Sequence, residues 1–139
     1  MKLYFVRHGK TVWNQERRLQ GMTGDSPLLP ESRLEVAKLG DYLADISFDA
    51  MFSSPSKRAV DTAMILSEHN QHPRDIIKKT ELFEWNLGIF EGMLIDDAIK
   101  KDPENMNAFR HHPERGWAAG AAAQRPGAPP GCPGPDPPQ

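Results

Sequence analysis

The sequence predicts an α/β fold with a parallel sheet. Short apolar runs of strand-favouring residues alternate along the chain with longer segments in which apolar residues recur at helical spacing. The first two runs are each followed directly by residues that can bind an anion, as expected where parallel strands end at the ligand-binding edge of a sheet. Three strands are predicted, at residues 3–6, 48–53 and 76–79.

The first predicted strand runs from Leu3 to Val6. It is apolar on both faces, which is typical of a buried parallel strand, and it ends at Arg7-His8-Gly9. His8 is therefore expected at the carboxyl end of this strand. A polar, glycine-containing stretch follows up to Ser26.

A first helix is predicted from about Glu31 to Ile46, because Pro30 and Glu31 are typical of a helix start. Its expected apolar positions are Leu34, Ala37, Tyr42 and Ile46.

A second helix is predicted after the second strand. Ser54-Pro55-Ser56 supplies the turn and the expected capping side chains. The expected buried positions of this helix are Val60, Ala63, Met64 and Leu66.

Two short helices are predicted further along, at residues 94–100 and 104–111. Pro103 separates them, because its ring would break a continuous helix.

The composition excludes several function classes. The formal net charge is −2 with acids and bases interspersed, so neither nucleic acid nor a membrane surface is an expected partner. Cys132 is the one cysteine, and no Cys/His spacing resembles a metal site. Without a signal-peptide core or a run of transmembrane length, a cytoplasmic protein is expected.

The composition changes abruptly near the end of the chain. Residues 116–139 contain 18 Gly, Ala or Pro residues among 24, too few large apolar groups to offset the entropy of ordering. Residues 1–112 are therefore expected to fold, and residues 113–139 to form a disordered tail. The tail fits either a natural linker or a shifted reading frame after about Pro113.

The tripeptide Arg7-His8-Gly9 suggests phosphoryl transfer. Neutral imidazole can attack phosphorus directly, and the resulting phosphohistidine divides one hard displacement into two easier ones. Guanidinium groups stabilise charge on the phosphoryl oxygens because their planar fork matches the geometry of phosphate. Arg58 follows the second predicted strand, at the start of a helix, and is expected to reach the same anion.

These segments together resemble the ordered motifs of the phosphoglycerate-mutase-like histidine phosphatases. The matching residues are R-H-G-K-T with Trp13-Asn14, L-Q-G and D-S-P-L, S-S-P-x-x-R-A-x-x-T-A from Ser53, and a stretch from Glu81 to Gly92 similar to L-x-E-x-x-x-G-x-x-E-G. The resemblance covers about residues 2–112. It implies a three-layer, parallel-sheet α/β fold of the phosphoglycerate-mutase type, incomplete on its C-terminal side.

The resemblance also implies the site residues. His8 corresponds to the phosphorylated histidine, Arg7 and Arg58 to the phosphate clamp, and Glu84 to the acid that protonates the leaving alkoxide. Asn14, Gln20 and Gly21 match substrate-binding positions that line the pocket. A glutamate acts as an acid at neutral pH only if burial raises its pKa, so an enclosed site is required. No metal or other cofactor is expected, and the implied partner is a small phosphorylated metabolite.

The sequence departs from the family in one respect. Family members carry a second histidine after a later V-x-H-G strand, which lies beside the strand bearing the first histidine, and this chain has no such segment. Two functions therefore stay open. One is a phosphatase (a hydrolase) or phosphoglycerate mutase (an isomerase) acting through His8. The other is a truncated or frame-shifted member with at most weak phosphate binding.

The remaining features suggest no separate function. The histidines other than His8 are interpreted as surface residues rather than as a metal cluster. His111 and His112 do not favour joint ligation of one ion, because neighbours on a helix point about 100° apart. The P-x-P spacings of the tail lack the basic flanks that polyproline ligands use. The histidines concerned are His69, His72, His111 and His112.

Overall fold

The computed structural model describes residues 1–111, so the expected tail from residue 113 lies outside the described residues. The helices are α1 (Val12–Gln15), α2 (Pro30–Tyr42), α3 (Lys57–Glu68), α4 (Ile95–Lys101) and α5 (Pro103–His111), and the strands are β1 (Met51–Ser53) and β2 (Ile76–Lys78). Short 3-10 helices span Thr80–Leu82 and Gly88–Phe90. None of the helices in this part of the chain is long and apolar enough to cross a membrane.

The parallel sheet is confirmed for the second and third predicted strands. β1 and β2 pair in parallel, with Met51 opposite Ile76 and Ser53 opposite Lys78. The connection between them is α3, which packs on both strands. This strand-helix-strand unit places the residues that follow β1 at the carboxyl edge of the sheet.

The predicted first strand is wrong for the described structure. Residues 3–6 have no strand assignment, and instead of being buried Phe5 is 90% exposed and Leu3 66% exposed. A strand exists only with a hydrogen-bonded neighbour, and within residues 1–111 β1 pairs with β2 alone. The segment does contact its surroundings through Tyr4, whose ring meets Phe48 edge-on at 5.3 Å.

The predicted α2 helix is confirmed, but its end and its buried face differ. It ends at Tyr42 because Leu43 leaves helical geometry, and residues 44 and 46 then form i→i−3 turns. The expected apolar face is also wrong, since Leu34 is 66% and Tyr42 84% exposed. The face that packs on α3 instead carries the small residues Ser32, Val36 and Gly40.

The second predicted helix is confirmed as α3, but its cap differs. Ser56 occupies the N-cap position without capping the helix, since its hydroxyl lies 2.9 Å from that of Ser54. The Asp25 carboxylate accepts the backbone N–H of Arg58 at 3.3 Å instead. Of the expected buried positions only Ala63 is fully buried, while Met64 is 47% exposed.

The main apolar core lies at the other end of the described chain. Both helices predicted there are confirmed, and Pro103 is the first residue of α5 rather than a spacer. The core joins α4 and α5 to the loops before them through five buried residues, which are Leu19, Leu87, Phe90, Ala98 and Met106.

Segment 10–29 links this core to the sheet. Its backbone pairs with residues 92–95 on one side, including Leu19 N–H to Met93 O at 2.9 Å. On the other side it runs into the start of α2. It also contains α1, an element the sequence did not predict, which begins at a capping box of Thr11 and Asn14.

Candidate active site

His8 lies half-buried between the exposed N-terminal segment and α1. Its Nδ1 is 2.8 Å from the carbonyl oxygen of Gly9. A carbonyl oxygen only accepts, so Nδ1 carries the proton of the neutral ring and Nε2 keeps its lone pair. The ring is thus held in the tautomer in which Nε2 can act as a nucleophile.

The surroundings of His8 favour the uncharged ring. Burial lowers the pKa of His8 below its ordinary 6.5, and the hydrogen bond to Gly9 opposes this effect. The positive charges of Arg58 and Arg7 lower the pKa further, while Asp25 raises it. The net result is a lowered pKa, and so an imidazole that is neutral at physiological pH.

Arg58 is a buried cation, with 3% of its surface exposed. Its Nη1 and Nη2 donate to the carbonyl oxygens of Gly24 and Gly21, each at 3.0 Å, and Nη1 lies 3.3 Å from an oxygen of Asp25. These contacts satisfy the buried charge and fix the plane of the guanidinium group. Its buried Nε has no hydrogen-bond partner among the described residues.

A surface hollow of about 440 Å³ surrounds His8, and it is lined by Arg7, His8, Lys10 and Asn14. Arg7 and Lys10 are exposed, and the lining includes no carboxylate. The hollow therefore offers two positive charges, an amide and a neutral imidazole. This set suits an anion with several oxygen acceptors.

Asn14 and Gln20 are held by one buried hydroxyl. The Thr11 hydroxyl lies 3.0 Å from Oδ1 of Asn14 and 2.8 Å from Oε1 of Gln20, and it can donate to either. The amide of Gln20 in turn donates to Ser26 at 2.9 Å. Asn14 lines the hollow around His8, whereas Gln20 does not line it and is hydrogen-bonded to Thr11 and Ser26.

The two glycines of the site occupy tight positions. A Cβ at Gly9 would lie 2.6 Å from the hydroxyl of Ser32, and a Cβ at Gly21 would lie 2.6 Å from the carbonyl oxygen of Trp85. Gly9 also donates its N–H to the Thr62 hydroxyl at 3.0 Å. At both positions the backbone lies so close to a neighbouring residue that there is no room for a Cβ atom.

Glu84 is not brought into this arrangement. It is exposed, in the segment between the two 3-10 helices, and is not among the residues that line the hollow. A carboxyl group acts as an acid at neutral pH only in an enclosed site, and the residues from 1 to 111 do not enclose Glu84.

Glu91 is a residue of the site region that sequence reasoning missed. Its carboxylate accepts hydrogen bonds from the backbone of Thr23, Gly24 and Leu87 and from the Thr23 hydroxyl. Glu91 and Gly92 belong to the stretch from Glu81 to Gly92 that resembles the family motif, but the sequence did not indicate a role for the Glu91 carboxylate. Thr62, which binds Gly9, was likewise present in a motif without an assigned role.

The other histidines of the described part lie on the surface, as predicted. His69 is exposed, and its Nδ1 lies 2.6 Å from Asp41, while His72 and His111 are also exposed. His112 lies outside the described residues. No group of three or more potential metal ligands occurs within residues 1–111.

Comparison with known sequences identifies relatives of this chain. The sequence profile of the histidine phosphatase superfamily (branch 1) matches residues 3–126. The uncharacterized phosphatase PhoE of Bacillus subtilis is 37% identical over 101 residues, which cover 73% of this chain and 51% of that protein. The 2,3-bisphosphoglycerate-dependent phosphoglycerate mutase of Pelagibacter ubique is 32% identical over 118 residues, covering 83% and 48%.

Comparison of structures gives the same result. YhfR of Bacillus stearothermophilus superposes with a TM-score of 0.75 at 35% identity, over 86% of this chain and 56% of that one. The predicted phosphoglycerate-mutase-like α/β fold is thereby confirmed. The chain spans about half the length of the curated relatives it matches.

Proposed function

Since the chain belongs to the histidine phosphatase superfamily, we propose that it transfers the phosphoryl group of a small phosphate ester to Nε2 of His8. One observation carries the proposal. Nδ1 of His8 is tied to Gly9 O at 2.8 Å, which leaves Nε2 free beside a cationic hollow.

The first step forms a P–N bond and breaks the P–O ester bond. The Nε2 lone pair attacks phosphorus while Arg7 and Arg58 stabilise the negative charge on the phosphoryl oxygens. Arg58 is buried and is not among the residues that line the hollow, so it would act through its positive charge, whereas exposed Arg7 can follow the substrate. The departing alkoxide takes a proton, for which Glu84 is the proposed donor.

The second step regenerates His8. A water, or in a mutase a second hydroxyl of the substrate, attacks the phosphohistidine, and the P–N bond breaks as the new P–O bond forms. The proton lost by that nucleophile returns to the Glu84 carboxylate. The proposed substrates are small phosphorylated metabolites, and neither step requires a metal, because two guanidinium groups provide the positive charge.

A second candidate function is phosphate binding without turnover. The exposure of Glu84 favours it, because the proposed acid step requires an enclosed carboxyl group at this position. In this case the arginines and His8 would still bind phosphate and form a phosphohistidine slowly. The two candidates differ in turnover and share the same anion site.

The test is labelling of the 139-residue chain with a radiolabelled phosphate ester, followed by an alkaline quench that preserves phosphohistidine. We expect acid-labile label on the wild-type chain and on a His72→Asn control, which changes an exposed histidine. His8→Asn is expected to carry no label. Absence of label from the wild type, or label on the His8→Asn chain, would refute the proposal. Release of inorganic phosphate in the same samples then separates turnover from binding.

A further inference from the structure

Glu91 has an unusual set of partners for a half-buried carboxylate. It accepts from the backbone N–H groups of Thr23 at 3.0 Å and Leu87 at 3.1 Å, and also from the N–H of Gly24 and the Thr23 hydroxyl. Among the described residues no Lys or Arg forms an ion pair with it. Three peptide N–H groups and one hydroxyl therefore balance its charge, and two of these peptide groups belong to the loop at residues 21–24.

The same loop holds Arg58. Gly24 donates its N–H to Glu91 and accepts Nη1 of Arg58 on its carbonyl oxygen at 3.0 Å. Gly21 accepts Nη2 at the same distance. The loop thus has the Glu91 carboxylate on one side and the Arg58 guanidinium on the other. The two peptides that donate to Glu91 carry the carbonyls of Met22 and Thr23, and they lie between the two peptides whose carbonyls accept from Arg58. A charged acceptor that holds the inner pair therefore also restricts where the outer pair lies.

Glu91 itself is held firmly. The next residue, Gly92, has a φ of +78°, which favours glycine, and its N–H donates to Leu19 O at 2.8 Å. Its carbonyl accepts Nη1 of Arg18 at 2.9 Å. The Trp13 ring fills the space beside the loop, since a Cβ at Gly24 or Gly92 would lie 2.8 or 3.0 Å from it. These contacts fix the backbone next to Glu91, so the position of its carboxylate relative to the loop is also restricted.

We propose that Glu91 is a positioning residue for phosphate binding, which sets the loop at residues 21–24 so that its carbonyls aim Arg58 at the phosphoryl group. The inference rests on the proposed function, because it assumes that Arg58 binds phosphate. Neutral glutamine at this position keeps the size of the side chain but loses the charge and one acceptor oxygen. The loop is then less restrained, and the carbonyl oxygens of Gly21 and Gly24 no longer hold the Arg58 guanidinium in its position.

The test is the affinity of the full chain for inorganic phosphate, measured by calorimetry for four variants. Glu91→Gln is expected to weaken binding about tenfold, the effect of losing charge-assisted hydrogen bonds that orient a binding group. Glu81→Gln is the matched control, an exposed glutamate of the same segment, and should bind as the wild type does. Arg58→Lys and the double variant with Glu91→Gln complete a double-mutant cycle.

The cycle distinguishes positioning from general destabilisation. If Glu91 acts through Arg58, then Glu91→Gln has little further effect in the Arg58→Lys chain. Equal losses in both backgrounds, or wild-type affinity in Glu91→Gln, would overturn the inference. Failure of the wild type itself to bind phosphate refutes the proposed function instead. A second readout needs no phosphate. Hydrogen exchange of the buried Arg58 Nε–H, followed by NMR, reports how far Glu91 restrains Arg58, and this exchange should become faster in Glu91→Gln.

Discussion

Gly9 donates its backbone N–H to the hydroxyl of Thr62 at 3.0 Å, and this bond ties the residue after His8 to helix α3. The same hydroxyl donates to the carbonyl oxygen of Arg58 at 2.8 Å. Thr62 is buried, so its bond to Arg58 is shielded from water and its bond to half-buried Gly9 is partly shielded. One side chain thus joins the peptide between His8 and Gly9 to the turn of α3 that carries Arg58.

Thr62→Val should therefore weaken both the fold and the site. Valine keeps the shape but leaves the Gly9 N–H without its acceptor, which costs about 1–3 kcal/mol for a buried group. We expect that loss in urea unfolding, together with reduced labelling of His8. Thr80→Val, at an exposed threonine, is the control and should leave both quantities unchanged. Wild-type stability of Thr62→Val would contradict the assigned bond.

Gly9→Ala should destabilise the chain through a steric clash. The new Cβ would lie 2.6 Å from Ser32 Oγ and 3.2 Å from a methyl group of Val36. Overpacking of this kind costs about 1–3 kcal/mol in thermal or urea unfolding. Adding Ser32→Ala removes the closest atom and should restore part of the loss. If the double variant is no more stable than Gly9→Ala, the clash is not the cause.

His8 should titrate below pH 6.5, because burial and the two arginine charges lower its pKa. Since the folded protein disfavours the charged ring, the associated stability is fully present above pH 6.5 and is lost as pH falls through the lowered pKa. NMR titration of the ring, assigned with His8→Asn, measures the value. A midpoint at or above 6.5 would show that the ring is not held neutral.

Glu91 should make stability sensitive to acid. Burial alone would raise its pKa, but the hydrogen bonds from Thr23, Leu87 and Gly24 outweigh this and lower it below the ordinary 4.5. Its contribution is present above pH 4.5 and is lost as pH falls through the lowered pKa. The stability advantage of the wild type over Glu91→Gln should therefore disappear on acidification. An advantage that persists at about pH 2 would argue against a charge effect.

The order of the α-helices and strands after residue 29 was predictable because their signals are local. Pro30 and Ser56 mark helix starts and Pro103 marks a break between two helices, and the structure begins a helix at each of these points. The buried faces were not predictable from spacing alone. The buried face of α2 carries Ser32 and Val36, which lie close to Gly9, and Gly40, where a Cβ would lie 2.7 Å from His69 at the end of α3, so these positions leave little room for large side chains.

The failure of the first predicted strand has a related cause. Residues 3–6 have strand-forming side chains, but a strand also needs a neighbour, and their sequence contains no information about whether one is present. Within the described residues none pairs with them, so their apolar side chains remain exposed.

Of the predicted site residues, the structure places Arg7, His8 and Asn14 around one hollow, whereas Glu84 is exposed outside it, and the contacts that support these residues were not predictable. Sequence motifs named His8 and Arg58, and the structure places the charge of Arg58 where it acts on His8. The atoms that fix Arg58 are carbonyls of Gly21 and Gly24, 37 and 34 residues away, and any residue type has a carbonyl. Their role depends on a loop conformation that residue identities do not specify.

The central claim, that Nε2 of His8 accepts the phosphoryl group, is tested most directly by NMR of the isotope-labelled phosphorylated chain. One-bond coupling between phosphorus and an imidazole nitrogen identifies the modified atom. Because Nδ1 donates to Gly9 O at 2.8 Å, we expect the coupling at Nε2, with the Nδ1 proton retained. Coupling at Nδ1, or the absence of any phosphohistidine on His8, would contradict the account.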